Sequence, residues 1–350
     1  MQQWIKEVAR GKRGAKDLSY EQTRELARFI VEGKATDAQI AAYFIAERIK
    51  MESPEELLAF VQTFQENTDK LTIKESIRDH IVDFAGAYTG RNLFAATVPA
   101  SILLAESGLP AFLHSSESLP PRYGTSIKEI VEELGVNTNR DVQSLSETID
   151  SANIGFAWAD QFCPSLAQLR SIREELGVRT LMNTVEKLLN ISNAKSLMMG
   201  AFHRTAIVKI APIFASLSYE NVYIVQGVEG SEDLPVHRNS FIYTLKDNEL
   251  DSFIVKPDEY GLFEEEKKEK LTRKEQADII LALLSGETSE QLNYYYKQVL
   301  FNTGIRYYLF DATPTIEEGI ALAKEQLRSQ RGMKQLQKWK DSCVSQPYVG

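Results

Sequence analysis

Polar and apolar positions change their period once, near residue 70, and that change divides the chain. Before it, the pattern is helical and the helix starts are well marked. Ser19 with Gln22, Thr36 with Gln39, and Ser53 with Pro54 and Glu56 each supply a side-chain oxygen for the first turn and a Gln or Glu to return the bond. In the helix opened by Thr36, the positions Ala41, Phe44, Ile45, Arg48 and Ile49 fall on one face. This apolar stripe with one cation on it is expected to pack against a neighbour. From Ile81 onward, short apolar runs alternate with helical segments. Ile81 to Ala85, Ala111 to Leu113, Ile154 to Trp158 and Asn221 to Val225 read as buried strands, with helices near 97–107, 126–135, 144–151 and 203–217 between them.

Strands alternating with helices predict a largely parallel sheet covered on both faces. The fold class is therefore α/β: an N-terminal helical domain over residues 1–70 and a larger α/β domain over 71–350, its mostly parallel sheet flanked by helices. Ser240 to Leu245 and Ser252 to Val255, joined through Lys246-Asp247-Asn248-Glu249, predict a hairpin at the edge of the sheet. Thr272 to Leu284 and Thr315 to Trp339 read as helices. The second carries Lys324, Arg328, Arg331, Lys334 and Lys338.

Composition narrows the function classes. A hydrophobic share of 43% and a charged share of 25% are ordinary for a globular chain. No apolar run is long enough for a membrane span, and the first residues lack the order of a secretory signal. Cys163 and Cys343 are far apart and lack metal-ligand spacing, so a reducing, cytoplasmic setting is expected. The net charge of −9 disfavours broad attraction to nucleic acid.

Candidate chemistry gathers at strand ends. The turn from Gly86 to Asn92 follows an apolar strand and precedes a helical pattern from Thr97, an order that can present backbone N–H groups to an anion or form an ordinary βα turn. After the second strand come His114, Ser115 and Ser116, which can hold a polar ligand; His114 without a placed partner does not define a base. Arg173, Arg179, Thr180 and Asn183 suit carboxylate or phosphate recognition, or a solvated helix face. The loop Gln226-Gly227-Val228-Glu229-Gly230-Ser231-Glu232-Asp233 carries adjacent carboxylates that can hold hydrated magnesium or serve solubility. No Gly-x-Ser-x-Gly elbow, Walker loop, His-Glu-x-x-His helix or dinucleotide fingerprint is present.

Nearly end to end, these segments resemble the anthranilate phosphoribosyltransferase family, whose fold is shared with pyrimidine nucleoside phosphorylases. The resemblance rests on Gln39-Ile40-Ala41-Ala42-Tyr43-Phe44-Ile45-Ala46, Arg48-Ile49-Lys50, Ser53-Pro54-Glu55-Glu56-Leu57 and Arg173-Glu174-Glu175-Leu176-Gly177-Val178-Arg179-Thr180 with Asn183. Asn302, Gly304 and Ile316-Glu317-Glu318-Gly319 extend it. Pro121-Arg122 with Thr125, and Thr184 to Asn190, look closer to a divergent anthranilate-phosphoribosyltransferase-like branch that includes members implicated in nucleic-acid binding. The family's Gly-Thr-Gly-Gly-Asp loop corresponds to Gly86-Ala87-Tyr88-Thr89-Gly90, with a bulky Tyr88 where close backbone approach is wanted. Its Lys-His-Gly-Asn-Arg signature becomes Leu113-His114-Ser115-Ser116-Glu117, and its magnesium-binding Asp-Glu pair appears reversed as Glu232-Asp233.

The resemblance implies a homodimeric, phosphoribosyltransferase-like glycosyltransferase acting on a phosphoribosyl or related ribosyl small molecule with magnesium, in a substrate cleft of the α/β domain against the helical domain. In that picture Gly86, Thr89, Gly90, Asn92, Ser115 and Ser116 bind phosphate, His114 and Arg173 bind the acceptor, and Glu232 and Asp233 bind the metal. The alternative is a catalytically lapsed relative that binds nucleic acid or another polyanion.

Overall fold

The computed structural model describes residues 1–11, 13–86, 89–246 and 249–344. Lys12, Ala87 and Tyr88 of the first strand-end turn, and Asp247 and Asn248 of the expected hairpin turn lie outside the described residues. The chain opens with four helices, α1 (Gln2–Val8), α2 (Tyr20–Val31), α3 (Asp37–Lys50) and α4 (Pro54–Glu66). All three expected helix starts form reciprocal capping boxes, because each satisfies two otherwise orphaned N–H groups locally. The Ser53–Glu56 box has a further duty. Glu56 is buried, and it also accepts from Leu18 N at 2.8 Å and from Lys50 Nζ at 2.6 Å, so it ties the segment between α1 and α2 to the end of α3 and the start of α4.

The stripe expected on α3 is displaced around the helix. The buried positions are Ile40, Tyr43, Phe44, Ala46 and Glu47, whereas Ile49 is 65% exposed. Aromatic packing decides the register: Tyr43 stacks on Phe60 at 5.9 Å and Phe60 on Phe64 at 6.4 Å, which turns this face toward α4. Arg48 reaches across to the larger part of the chain, donating to the carbonyl of Arg179 at 2.5 Å.

Among the described residues seven strands follow: β1 (Val82–Ala85), β2 (Ala111–Ser115), β3 (Ile154–Trp158), β4 (Ser196–Gly200), β5 (Asn221–Val225), β6 (Ser240–Lys246) and β7 (Glu249–Val255). They form one sheet in the order β3-β2-β1-β4-β5-β6-β7. The first five are parallel, and β6 and β7 add the antiparallel edge expected of the hairpin. β4 was not foreseen, although it occupies the centre of the sheet. The span 315–339 is two helices, Ile316–Arg328 and Arg331–Ser342, because Gln330 takes a left-handed conformation at φ +57° and interrupts the helix. Likewise 203–217 is a short α-helix, Arg204–Ile210, continued as a 3-10 turn over Ala211–Ser216, where Pro212 has no N–H to carry the α pattern onward.

The sheet separates two apolar layers. On one face, Ala85, Phe112, Ala157, Leu197 and Ile224 join the core of the N-terminal helices, so α1–α4 share a continuous interior with the sheet. On the other, Phe84, Leu113, Phe156 and Met198 pack beneath the Thr97–Glu106 helix and the C-terminal helices. No described helix is long and apolar enough to cross a membrane.

Candidate functional site

Strand order locates the site. β1 leads outward to β2 and β3 on one side, while β4 and β5 run away on the other, so the direction of winding reverses between β1 and β4. Loops leaving the carboxyl ends of parallel strands diverge at such a point and leave a crevice between them. Here the loops after β1 and β5 meet. Gly90 and Gly124 allow the first of them to fold tightly against the loop after β2: a Cβ on Gly90, whose φ is +67°, would stand 2.0 Å from the carbonyl oxygen of Gly124. Arg91 and Thr125 then form a two-way backbone bridge at 2.7 and 2.9 Å.

That bridge fixes Arg91, whose buried guanidinium turns inward. It donates from Nη2 to Glu232 Oε1 at 2.8 Å and from Nη1 to Asp233 Oδ2. Arg306 completes the cluster from the Asn293–Leu309 helix, donating to Asp233 Oδ1 at 3.1 Å and to Asn302 Oδ1 at 3.1 Å. Two cations and two anions are enclosed together, and both carboxylates are fully buried. Burial alone would raise the pKa of Glu232, but the charges of Arg91 and Arg306 outweigh it and hold the carboxyl below its ordinary value. Burial lowers Arg306 to about 10 despite Glu232.

Glu229 closes the outer side of this cluster. Its Oε2 accepts from the N–H groups of Asn92 at 2.9 Å and Leu93 at 3.1 Å, and its Oε1 lies 3.4 Å from Arg122 Nη1. Lys187, buried to the point where its ammonium is lowered to about 8, donates to the carbonyls of Gly200 at 2.8 Å and Gly230 at 3.3 Å. It thereby ties the end of β4 to the Glu229–Asp233 loop.

A second polar cluster lies beyond β2. Ser116 donates from its N–H to Glu186 at 3.3 Å and from its hydroxyl to Asp160 at 3.0 Å. Arg173 pairs with Glu186 at 2.6 Å, and Arg170 with Asp160 at 3.2 Å. Burial raises Asp160, and the nearby Glu186 adds to the effect. His114 points into the core layer shared with the N-terminal helices. Its Nε2 lies 3.1 Å from Asp83 without an aligned hydrogen bond, and its ring stacks on Phe112 at 6.0 Å. Burial opposes its protonation, but the charge of Asp83 more than offsets that, so the pKa is raised.

Each residue expected to bind phosphate is therefore already engaged within the chain. Gly86 N donates to the carbonyl of His114, Thr89 O accepts from Gly124 N, Gly90 O accepts from Arg122, and Asn92 N donates to Glu229. Ser115 accepts from Lys128 N, while Ser116 serves Glu186 and Asp160. The two acceptor residues are paired as well, His114 with Asp83 and Arg173 with Glu186.

Glu232 and Asp233 do come together, but as partners of arginine. Magnesium wants six oxygens in a near-octahedral shell. Asp233 spends both of its oxygens on guanidinium groups and Glu232 spends one, leaving Oε2 without an aligned donor. In this arrangement the pair does not fit a magnesium ion. Among the described residues no group of three or more His, Cys, Asp or Glu side chains could hold a metal.

Sequence reasoning passed over Arg91, Glu229, Asp160, Glu186 and Arg306. Glu229 and Arg91 stood inside motifs already singled out, yet their partners lie 136 to 142 residues away, and no local period reports a pairing at that distance.

Comparison with known proteins agrees with this architecture. Residues 2–68 match the helical bundle domain of a glycosyl transferase family, and residues 78–332 match its a/b domain. The anthranilate phosphoribosyltransferase of Persephonella marina is 27% identical over 96% of this chain and 98% of its own. That of Acetivibrio thermocellus is 29% identical over 92% of this chain and 91% of its own. Among solved structures, anthranilate phosphoribosyltransferase from Thermus thermophilus superposes with a TM-score of 0.82 at 23% identity, covering 97% of this chain and 99% of that one. The Saccharomyces cerevisiae enzyme in complex with PRPP and Mg gives 0.83 at 20% identity, covering 98% and 97%. With both of its domains matched in order, the chain belongs to the glycosyl transferase family that includes the anthranilate phosphoribosyltransferases.

Proposed function

We propose that this chain is a phosphoribosyltransferase-like glycosyltransferase that takes a phosphoribosyl-type small molecule in the crevice between β1 and β4. The observation that carries this reading is the meeting of the Gly86–Asn92 turn, Arg122 and the Glu229–Asp233 loop at the point where the sheet reverses its winding. Relatives of the same family, one of them solved with PRPP and Mg, support the ligand class. Transfer would rest on positioning and on charge stabilisation as an oxocarbenium-like centre develops, since no activated nucleophile stands in the crevice among the described residues. Calorimetric titration with phosphoribosyl pyrophosphate tests the reading. A saturable heat at or below millimolar ligand is expected, and its absence overturns the proposal. The titration is run with and without magnesium: Glu232 and Asp233 become metal ligands only if Arg91 leaves them, and a magnesium-dependent heat would reinstate them.

One observation favours a second reading, the catalytically lapsed relative that binds nucleic acid or another polyanion. The N–H groups of Gly86, Asn92 and Ser116 and the hydroxyl of Ser116 already donate inside the chain. Ligand binding without release of pyrophosphate in the presence of anthranilate or other aromatic acids would select lapsed catalysis. Retention on DNA that falls steeply with salt would add the nucleic-acid partner, against the net charge of −9. A cytoplasmic homodimer is part of the same proposal. Val8, Ala9, Ala42, Ile45, Ala46 and Ile49 line an apolar groove of about 270 Å³ between α1 and α3, which a second copy would cover, and sedimentation equilibrium reads the result.

A further inference from the structure

The carboxylate of Glu229 holds a position that chemistry would otherwise give to a phosphate oxygen. Two successive backbone N–H groups, those of Asn92 and Leu93, converge on its Oε2 at 2.9 and 3.1 Å, and the guanidinium of Arg122 stands 3.4 Å from Oε1. Adjacent amides with an arginine beside them make a concave anion receptor, and a receptor of this kind binds carboxylate and phosphate oxygens alike. The occupant is supplied by the chain itself. Glu229 and Arg122 are 13% and 16% exposed at their side chains, so this seat borders solvent, unlike the fully enclosed Arg91–Glu232–Asp233 cluster behind it.

The backbone beneath the carboxylate is held under tension. Glu229 has φ +54° and Gly230 φ +78°, two consecutive left-handed residues of which the first carries a side chain that disfavours the conformation. Phe202 presses on that turn: a Cβ on Gly230 would lie 2.2 Å from its ring. Phe202 is in turn flanked by Arg179 at 4.0 Å and Arg122 at 5.8 Å, and it remains 38% exposed. A turn in a costly conformation, roofed by a partly exposed ring, can relax outward when another anion satisfies the amides.

We propose that Asn92 N, Leu93 N and Arg122 form an exchangeable seat for a phosphate-class anion, and that Glu229 is the internal competitor a phosphate-bearing ligand must displace. Glu229 thus sets the affinity of the crevice and rejects weak or singly charged anions. The role of this seat in phosphoribosyl binding rests on the function proposed above; the exchange itself does not.

Inorganic pyrophosphate titrated into the full-length chain separates the two. Glu229→Gln keeps the shape and removes the charge, and it is expected to tighten pyrophosphate by about tenfold or more, the equivalent of ~1.4 kcal/mol. Adding Arg122→Met to that variant is expected to abolish the gain. Glu229→Asp keeps the charge on a shorter stem that cannot span both amides, and it is expected to fall between the wild type and Glu229→Gln. If Glu229→Gln does not fold, Glu229→Asp is read in its place. Equal or weaker pyrophosphate binding by a folded variant overturns the proposal and makes Glu229 a fixed brace of the loop. Tight pyrophosphate binding by Glu229→Gln, together with no response of any form to phosphoribosyl pyrophosphate, upholds the seat and overturns the function proposed for it.

Discussion

Replacing Arg91 by methionine tests whether the Glu232–Asp233 pair is held by arginine or awaits a metal. The substitution keeps an apolar stem of similar reach and removes one of the two cations from a cluster in which Glu232 and Asp233 are both fully buried. Removing one partner from a buried ion pair costs about 3–5 kcal/mol, because the other charge is left without compensation. Here the loss has a ceiling set by protonation. A carboxyl with an ordinary value of 4.5 can take up a proton at neutral pH for about 3–4 kcal/mol, at ~1.4 kcal/mol per pH unit, and the orphaned Glu232 takes that route once the loss exceeds it.

The sign of the pH dependence follows. In the wild type the pKa of Glu232 is lowered, so its contribution to stability is present above the ordinary carboxylate value and is lost as pH falls through the lowered one. In Arg91→Met the same carboxyl is raised, so the variant is least penalised in acid and loses stability as pH rises. The gap between the two proteins should therefore widen from about 1 kcal/mol near pH 5 to about 3–4 kcal/mol near pH 7.5 in urea denaturation. Adding Glu232→Gln should recover part of the loss, since it removes the stranded charge. A gap that stays flat with pH or below about 1 kcal/mol would refute the reasoning, as would a rise in melting temperature of the wild type on adding magnesium alone.

Two further perturbations probe other parts of the molecule. Glu47 is buried with neither oxygen hydrogen-bonded; burial and the nearby Glu56 and Glu52 raise it to about 8 against the pull of Lys50, 3.5 Å away. A carboxyl raised in this way stabilises fully below its ordinary value of 4.5, and the contribution is lost as pH rises through about 8. Glu47→Gln should therefore flatten stability across that window and exceed the wild type by about 1–3 kcal/mol at the alkaline end, as read by thermal melts in a pH series. Gly90→Ala should cost about 2–5 kcal/mol, combining a left-handed backbone with overpacking against Gly124, and should speed hydrogen exchange at the amides of Arg91 and Thr125. Unchanged exchange at those two amides would mean that the loop tolerates a Cβ.

What could be read in the sequence was local. The capping boxes at Ser19, Thr36 and Ser53 involve residues three apart, and Ile154–Trp158 and Asn221–Val225 were bounded as they stand because each is a compact apolar run. The face of α3 was misplaced because Ile45 and Ile49 are as apolar as Tyr43 and Phe44, and only the aromatic stack with α4 decides between them. β4 escaped because Ser196–Gly200 is a five-residue run following several turn-forming residues, with nothing local to mark it as the central strand. At the site, residue types pointed to the right loops but not to their partners. Arg91 satisfies carboxylates more than 140 residues away, and the sequence holds no trace of such a bond until the sheet has brought β1 and β5 to either side of β4.

The helix over Thr97–Glu106 has a consequence for how the chain is made. Nine of its ten residues are buried, and it leaves the ribosome well before the elements that cover it. The carbonyl of Leu103 waits for Tyr307 and Gln326, which are 204 and 223 residues later, and Glu106 waits for Arg331. Leu103 also needs the bare backbone of Gly332, where a Cβ would stand 2.8 Å from its side chain. At elongation rates of about 5–20 residues per second, this apolar helix is uncovered for roughly ten seconds or more during every round of translation. A chain cut short before Arg331 would leave permanently bare the face of this helix that the Arg331–Ser342 helix covers, and Glu106 without its arginine.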